Sequence, residues 1–364
     1  MDRTEVDRVI DAAVTGKKLV GTVVMAAIDG EIVYSRAAGL ADREESEPMR
    51  EDTIFRAASL TKPLVAATIL AMTDRGLLKV TDPVSDYLPY FTPALPDGTR
   101  PVITLKHLLT HTAGLTYDYS KDPRISPGLT DTTTSLDGVL RLIAEQPLNY
   151  APGTSWLYSM AIDVLGGVAA AVHGTDLATA VAHYVAGPLG MKDTVFHLDS
   201  DERLAVPYAD GETEPVRMTD PHSAKNPWNA VTTFSPKRIF NAQAFQSGGG
   251  GMATTAPDYM RFLMAVTQGG VPILEAETTQ VALQDQMGYE RDPGQAFSFF
   301  GSYTIDPARA NLPWTAGTNN WGGIYGHVWS IEPSRKICSV SLTNTAFYGG
   351  ELEYPLRLRQ AIHA

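Results

Sequence analysis

Strand-forming runs lie near both ends of this chain, and helical patterns fill the middle. An apolar run over residues 19–28 meets Asp29-Gly30 and resumes directly after it. Asp-Gly between two such runs is a strong hairpin signal, because both residues tolerate the backbone of a two-residue turn. Residues 324–331 and 337–342 also have the composition of strands. We therefore predict one sheet that is built from both ends of the chain.

Helices are indicated wherever apolar residues recur three and four positions apart. These segments are 6–13, 59–75, 105–111, 136–144, 159–173, 178–185, 256–268 and 354–362. The predicted fold is α+β, with an antiparallel sheet flanked by helices. Residues 1–80 and 247–364 are expected to form one discontinuous domain, residues 81–246 a mostly helical inserted domain, and the active site to lie in the cleft between them.

The composition excludes several classes of function. The 364 residues carry 29 Lys and Arg against 41 Asp and Glu, a net charge of −12 without a basic stripe, so nucleic acid is not an expected partner. No apolar run reaches the roughly 20 residues that span a membrane. The acidic first residues lack the basic start of a secretory signal, which predicts a cytoplasmic protein unless a leader was removed. Cys338 is the only cysteine, and its apolar neighbours predict a buried, inert thiol.

Ser59 and Lys62 form the pattern that points most directly to catalysis. They stand three residues apart at the start of the predicted helix, and Pro63 is tolerated only in its first turn. Residues at this spacing share one face, so the amine reaches the hydroxyl. A serine needs a neighbouring base, and a lysine serves when burial and the helix N-terminus favour its neutral form. Alone the pattern is weak, since about one S-x-x-K arises by chance in such a chain.

Two further elements strengthen this interpretation. Tyr158 stands where a loop meets an apolar helix, so its hydroxyl can enter a cleft and exchange protons with Lys62; the alternative is a core aromatic. Residues 321–327 read as one glycine-punctuated strand, whose N–H groups, with that of Ser59, form an oxyanion hole; the alternative is a β-bulge. At the end of this run, His327 is expected to touch substrate or to make a structural hydrogen bond.

At this point the whole chain resembles the serine β-lactamase and penicillin-binding-protein superfamily. It is most similar to the branch that contains class C β-lactamases, D-amino acid peptidases and family VIII carboxylesterases. The motifs that carry the resemblance are FRAASLTKP at 55–63, LLTHTAGL at 108–115, PGT at 152–154, PLGM at 188–191 and GGGGM at 248–252. They follow in the order expected of that group, from about residue 15 to the C-terminus.

The resemblance implies a role for each matching residue. Ser59 would be the nucleophile, Lys62 its partner and Tyr158 the first residue of the Tyr-x-Asn element. Trp321, Gly322 and Gly323 stand in place of Lys-Thr-Gly and would bind substrate. The N–H groups of Ser59 and Ile324 would then be the oxyanion donors. Which of Lys62 and Tyr158 is the general base stays open, and a coupled titration of the two is expected.

Two departures from the superfamily pattern bear on the substrate. Met160 stands where asparagine is expected, and Trp321 replaces a lysine. The first loses an amide that would grip a peptide or lactam side chain, and the second loses a cation that would attract a carboxylate. The prediction is a serine carboxylesterase on short-chain esters, and Trp-Gly-Gly is similar to the family VIII enzymes. Alternatives are a β-lactamase, a D-amino acid peptidase or amidase, an acyltransferase, or a non-catalytic ligand-binding protein on the same fold.

Other motifs are weaker. His107 and His111 have the spacing of zinc ligands, but position 108 is leucine where the zinc-protease pattern requires glutamate. We expect no metal, and assign His111 to capping or packing a turn. The glycines at 248–251 lack a following Gly-Lys-Ser/Thr, so a tight turn is expected rather than a phosphate loop, and no cofactor. No serine sits in G-x-S-x-G, which excludes the usual nucleophile elbow. The sequence does not indicate an oligomeric state.

Overall fold

An eight-stranded antiparallel sheet lies at the centre of the structure, a computed structural model that describes residues 1–120, 122–227, 230–351 and 353–364. The strands are β1 (Gly21–Ile28), β2 (Glu31–Asp42), β3 (Glu47–Pro48), β4 (Ile54–Arg56), β5 (Tyr208–Ala209), β6 (Val216–Arg217), β7 (His222–Lys225), β8 (Val231–Phe234), β9 (Ala253–Thr255), β10 (Gln295–Phe297), β11 (Ser302–Thr304), β12 (Asn319–Gly323), β13 (His327–Glu332) and β14 (Ile337–Thr343). The central sheet has the order β10-β11-β12-β13-β14-β1-β2-β3.

Helices occupy the segments where the sequence indicates them. They are α1 (Arg3–Thr15), α2 (Thr61–Asp74), α3 (Leu105–Leu109), α4 (Leu136–Ala144), α5 (Ala161–His173), α6 (Leu177–Val181), α7 (Ala256–Thr267), α8 (Ala276–Ala282), α9 (Pro307–Ala310), α10 (Tyr348–Glu351) and α11 (Glu353–His363). A π-helical turn, Ala182–Ala186, extends α6. In the described part of the chain, no single helix is long and apolar enough to cross a membrane, and only the pair Ala161–His173 and Leu177–Ala186, bent by 80°, passes that test together.

The two chain ends meet in the middle of the sheet, as predicted. Strand β1 pairs with β2 on one side and with β14 on the other, with Met25 opposite Val340. The β1–β2 turn is Asp29-Gly30, with φ angles of 51° and 84°, so the predicted hairpin is confirmed. The α+β fold is thus confirmed. The division into two domains stays a prediction.

Strand β1 is buried on both faces, which explains its continuous apolar run. Val23, Met25 and Ala27 pack into the large core that also contains α2 and α7. Val24 and Ala26 point the other way, into a smaller core made with α1 and α11. Because side chains alternate along a strand, one sequence supplies both cores. Helices from the two chain ends therefore cover one face of the sheet.

One expectation about strands is wrong. Residues 321–327 do not form one strand, because β12 ends at Gly323 and β13 begins at His327. Gly326 has φ of 104° in the turn between them, a conformation that strongly favours glycine, so the run is a hairpin. The middle of the chain also contains two small hairpins, β5–β6 and β7–β8, that the helical patterns do not indicate.

A short two-stranded sheet positions the candidate nucleophile. Strand β4 pairs with β9, and the Ala57 N–H then donates to Met252 O at 2.8 Å. The chain continues into the 3₁₀ turn Ala58–Leu60 and then α2. Ser59 therefore stands directly before a helix N-terminus and beside the glycine run that precedes Met252.

A buried hydrogen-bonded pair joins the end of the chain to the sheet, and burial lowers the pKa of its histidine, His363, so that ring is neutral at pH 7. His363 in α11 lies with Nδ1 2.6 Å from Glu332 Oε2, and both side chains are fully buried. Thr315 N–H donates to Glu332 Oε1 at 3.0 Å. Burial acts to raise the pKa of Glu332, but the hydrogen bonds from His363 and Thr315 outweigh it and hold that pKa at about 2. The carboxylate is therefore ionised over the whole neutral and mildly acidic range.

Glu332→Gln is expected to destabilise the fold at pH 7 by about 3 kcal/mol, because it removes a carboxylate whose hydrogen bonds from His363 and Thr315 hold its pKa at about 2. A group whose pKa is depressed by folding contributes stability above its unfolded pKa and loses it as pH falls towards the folded value. The gap between wild type and variant should therefore shrink from about pH 4.5 down to about pH 2. Urea unfolding across this range measures it. Glu353→Gln, which breaks only an exposed pair with Arg357, is the control; equal stability of the Glu332 variant and wild type at pH 7 would contradict the prediction.

Candidate active site

Ser59 and Lys62 lie as the S-x-x-K spacing predicts. Lys62 Nζ is 3.1 Å from Ser59 Oγ. Ser59 is half-buried in the 3₁₀ turn, whereas Lys62 in α2 is only 5% exposed. Ala58, directly before the serine, has φ of 45°, a left-handed conformation that costs about 1 kcal/mol for a side chain with a Cβ. The sharp turn leaves the serine hydroxyl half-buried at the start of α2, beside a buried amine.

The glycine run holds the buried amine in place. Lys62 Nζ donates to Gly249 O at 2.6 Å. Thr61 Oγ1 accepts from Met252 N–H at 3.2 Å, which ties the same loop to the first residue of α2. The predicted tight turn at 248–251 is present, since the Gly250 and Gly251 N–H groups both donate to Ser247 O. The turn also supplies a hydrogen-bond acceptor for the lysine, a role that the sequence does not indicate.

Tyr158 lies in the loop directly before α5, with its ring against the lysine. Lys62 Nζ is 4.7 Å from the centroid of the Tyr158 ring and 5.4 Å from that of Tyr117. Both tyrosines are half-buried. Burial and the neighbouring Tyr158 and Asp163 raise the pKa of Tyr117 well above its ordinary value, so Tyr117 stays a neutral phenol. The structure brings Ser59, Lys62 and Tyr158 together from the starts of α2 and α5, two segments that are distant in the chain.

His111 holds the Tyr158 loop in place. Its carbonyl accepts from Leu157 N–H at 3.1 Å, its Nδ1 accepts from Ser159 N–H at 3.3 Å, and its ring stands 4.8 Å from the Tyr158 ring. Burial, with the positive charges of Lys62 and Arg291, lowers the pKa of His111 well below its usual value, so the ring is neutral. The expectation that His111 packs a turn agrees with this geometry. His107 closes the first turn of α3 by accepting from Thr104 N–H at 3.2 Å.

Trp321 forms one wall of the site and contacts the tyrosine. Its Nε1–H donates to Tyr158 Oη at 3.1 Å. The Trp321 ring lies 5.3 Å from Phe297, edge to face, and Trp156 stacks beside Tyr158 at 6.4 Å. The Arg291 guanidinium covers Trp156 at 4.7 Å and Trp321 at 5.5 Å from the ring centroids, a cation–π arrangement that fixes both indoles. The wall is aromatic and offers no carboxylate-binding amine at position 321.

The tip of the β12–β13 hairpin supplies the candidate oxyanion donors. Within the described residues, neither the Ser59 N–H nor the Ile324 N–H donates to a backbone carbonyl. A Cβ on Gly323 would stand 2.8 Å from Ala57 O, so glycine lets the hairpin approach the nucleophile turn. A Cβ on Gly322 would stand 2.8 Å from His327 O, across the hairpin. The glycines thus bring two backbones together, as the sequence predicts for this run.

His327 is fully buried and both of its ring nitrogens are engaged by backbone. Nδ1 accepts from Thr343 N–H at 3.2 Å, and Nε2 lies 2.8 Å from Arg56 O. Because Nδ1 is the acceptor, Nε2 carries the proton and donates. Burial lowers the pKa of His327 to about 4, so the ring is neutral. Of the two roles expected for His327, the geometry favours the structural hydrogen bond and corrects the assignment to substrate binding.

Several residues of the site belong to no motif that the sequence shows. They are Tyr117, Trp156, Asp163, Phe297 and Arg291. Asp163 leaves one readable signal, because it is an acid inside the otherwise apolar segment 161–172. The described residues contain no group of three metal-binding side chains. Cys338 is buried and burial raises its pKa to about 12, which agrees with the predicted inert thiol.

A serine hydroxyl beside a buried lysine, with a tyrosine ring against that lysine, is the arrangement of a serine hydrolase that works through an acyl-enzyme. The chain belongs to the Beta-lactamase family, whose model matches residues 6–363. It is 43% identical over 370 residues to Esterase EstB of Burkholderia gladioli, covering 98% of this chain and 94% of the relative. The predicted superfamily membership is confirmed.

Solved structures agree with this assignment. EstCE1, described as a hydrolase with promiscuous acyltransferase activity, matches with a TM-score of 0.96 and 37% identity over 99% of this chain and 98% of its own. Simvastatin synthase (LovD) from Aspergillus terreus matches with a TM-score of 0.76 over 99% of this chain and 98% of its own. At 21% identity, the second likeness shows the fold alone.

Proposed function

We propose that this chain is a serine carboxylesterase that forms an acyl-enzyme on Ser59 and acts on short-chain esters. The observation that carries the proposal is the 3.1 Å separation of Lys62 Nζ and Ser59 Oγ beside the Tyr158 ring. The prediction of a serine hydrolase is also borne out by the 43% identical esterase. The finer assignments, a family VIII type and a cytoplasmic location, stay predictions.

Acylation begins with removal of the Ser59 proton by Lys62 and Tyr158 acting together. The serine oxygen then attacks the ester carbonyl, and the Ser59 and Ile324 N–H groups stabilise the oxyanion. The pair returns the proton to the leaving alcohol, and the acyl group stays on Ser59. In deacylation, a water molecule takes the place of the alcohol and the same steps run again. Trp321 supports this by donating to Tyr158 Oη at 3.1 Å, since such a donor stabilises negative charge on that oxygen.

The choice of esters over lactams rests on Met160 and Trp321. Met160 is fully buried in the core, so position 160 presents no amide to a substrate. Position 321 presents an indole, whose N–H is already bonded to Tyr158. A penicillin would therefore lose a carboxylate contact worth about 1.5–3 kcal/mol, which corresponds to roughly 10- to 150-fold in kcat/KM.

Steady-state rates on p-nitrophenyl acetate and butyrate, benzylpenicillin and a D-alanyl peptide test the proposal. We expect the esters to be hydrolysed with a kcat/KM at least about 10-fold above that for penicillin. Trp321→Lys tests the role of this position, because it restores a cation that could bind the penicillin carboxylate. We expect this variant to raise the rate of penicillin turnover relative to that of ester turnover. A wild-type preference for the lactam or the peptide would overturn the proposal.

Acyl transfer to an alcohol is a second candidate activity. The 37% identical EstCE1 is described as a hydrolase with promiscuous acyltransferase activity. The aromatic wall of Trp156, Phe297 and Trp321 favours an apolar alcohol over water at the acyl-enzyme. Adding 1-hexanol to the butyrate assay measures this activity, since transfer forms hexyl butyrate while p-nitrophenol release continues.

A further inference from the structure

Asp163 is a buried carboxylate that the reaction scheme does not use. It lies in the first turn of α5, five residues after Tyr158, and its side chain has no exposure to solvent. A buried acidic side chain in a protein nearly always has a partner of opposite charge or a full set of hydrogen-bond donors. Asp163 Oδ2 has no hydrogen-bond partner among the described residues, although it is fully buried.

Two donors fix the orientation of the Asp163 carboxyl group. Its Oδ1 accepts from Ser247 Oγ at 2.5 Å and from Gly249 N–H at 3.2 Å. An O–H···O distance of this length is typical of a hydroxyl that donates to a charged oxygen. Burial raises the pKa of Asp163, and the Ser247 hydroxyl, the Lys62 charge and the Gly249 N–H oppose that rise.

One residue, Gly249, connects this carboxylate to the catalytic lysine. The N–H of Gly249 donates to Asp163, and the carbonyl of the same residue accepts from Lys62 Nζ at 2.6 Å. A Cβ on Gly249 would stand 2.4 Å from Asp163 Oδ2 and 3.0 Å from Tyr117 Oη. Glycine at 249 thus allows the carboxylate to approach the loop on which the lysine rests.

The charges around this group are few. Tyr117 and Tyr119 approach Asp163 from the loop after α3, and burial raises the pKa of each, so both stay neutral. Arg238 adds a positive charge from the 3₁₀ turn Pro236–Phe240, but it donates to the carbonyls of Thr130 and Phe245 rather than to the carboxylate. On the lysine side, Tyr158 and the neutral His111 complete the titratable neighbours.

We propose that Asp163 is a positioning residue for the Ser59–Lys62 pair. Its carboxylate holds Gly249 through the N–H of that residue, the Gly249 carbonyl in turn accepts from the Lys62 amine, and the negative charge of Asp163 sets how readily that amine gives up a proton. The inference rests on the proposed function, because it concerns the base of the same reaction. Asp163 touches neither substrate nor Ser59 in this role and acts only through Lys62.

The test compares Asp163→Asn with wild type in the full-length chain. Asparagine keeps an acceptor for Ser247 and Gly249 but removes the charge. A nearby negative charge favours the protonated amine. The acid limb of the kcat/KM profile on p-nitrophenyl butyrate should therefore move to lower pH by about one unit. The plateau should fall roughly 10- to 100-fold as the amine loses its fixed position. The rate of Ser59 labelling by a phosphonate should show the same shift without turnover.

Two further variants serve as a control and as a second test. Asp258→Asn removes another buried carboxylate, in α7, that accepts from Asp193 N–H and lies outside the site; it should lower thermal stability and leave the pH profile in place. Ser247→Ala removes one donor that orients the Asp163 carboxylate, so it should lower the plateau by a smaller factor, which keeps the test usable if Asp163→Asn does not fold.

The outcomes separate cleanly. An acid limb that stays in place in Asp163→Asn, with a plateau that in both Asp163→Asn and Ser247→Ala falls only in proportion to lost stability, would assign Asp163 a purely structural role and overturn the inference. A wild-type chain that neither hydrolyses esters nor accepts the phosphonate would instead remove the proposed function.

Discussion

Replacing Ser59 by alanine is expected to reduce ester hydrolysis by roughly 10⁴- to 10⁶-fold, because no acyl-enzyme can then form. Ser59 Oγ is the hydroxyl oxygen 3.1 Å from the buried Lys62 amine. Alanine removes that oxygen and adds no volume at a half-buried position. The thermal midpoint should therefore remain close to that of wild type. Initial rates on p-nitrophenyl butyrate at high enzyme concentration measure the residual activity.

The same variant separates an enzyme from a non-catalytic binding protein on this fold. Wild type incubated with a serine-reactive phosphonate should gain one adduct by intact mass, and Ser59→Ala should gain none. Ser200→Ala, at an exposed loop position, is the matched control and should label as wild type does. An adduct that persists in Ser59→Ala, or no adduct on wild type, would remove Ser59 from the nucleophile position.

Lys62→Met is expected to lower kcat/KM by roughly 10²- to 10⁴-fold, the usual contribution of a positioned general base. Methionine has nearly the length of lysine and is apolar, so it fills the 5% exposed position while removing the amine from Ser59 and Gly249. Stability should stay close to that of wild type, because methionine fills the buried position with an apolar side chain of similar length. Rates and thermal unfolding on one preparation distinguish a lost base from a lost fold.

A surface lysine provides the comparison for that variant. Lys192→Met changes an exposed side chain far along the chain from α2 and should leave both rate and stability near wild type. If Lys62→Met kept more than about a tenth of wild-type activity, Tyr158 would have to act as base without the amine, and the shared role of the two residues would be wrong.

Local signals predicted the elements that depend on neighbouring residues alone. The Asp29-Gly30 turn and helix α4 appear where turn chemistry and apolar spacing place them. Expectations failed where a distant contact decides the backbone. Gly326 has φ of 104° and a Cβ there would lie 2.1 Å from Thr345 O, so glycine is required at the turn that makes the run 321–327 a hairpin. The hairpins β5–β6 and β7–β8 are short strands, for which periodicity is too brief to separate strand from loop.

The features of the candidate site also separate into those set by local spacing and those set by distant contacts. Sequence determined that Ser59 and Lys62 face each other, because three residues on a helix share one face whatever surrounds them. It also placed Tyr158 at a loop-to-helix corner and marked Met160 and Trp321 as departures from a lactam-binding pattern. Only the tertiary structure decided that Trp321 donates to Tyr158 and that Gly249 connects Lys62 to Asp163. It also decided that His327 is buried and hydrogen-bonded to backbone atoms through its ring nitrogens. Those contacts join segments that are far apart in the chain, and only packing of the whole chain brings them within hydrogen-bond distance.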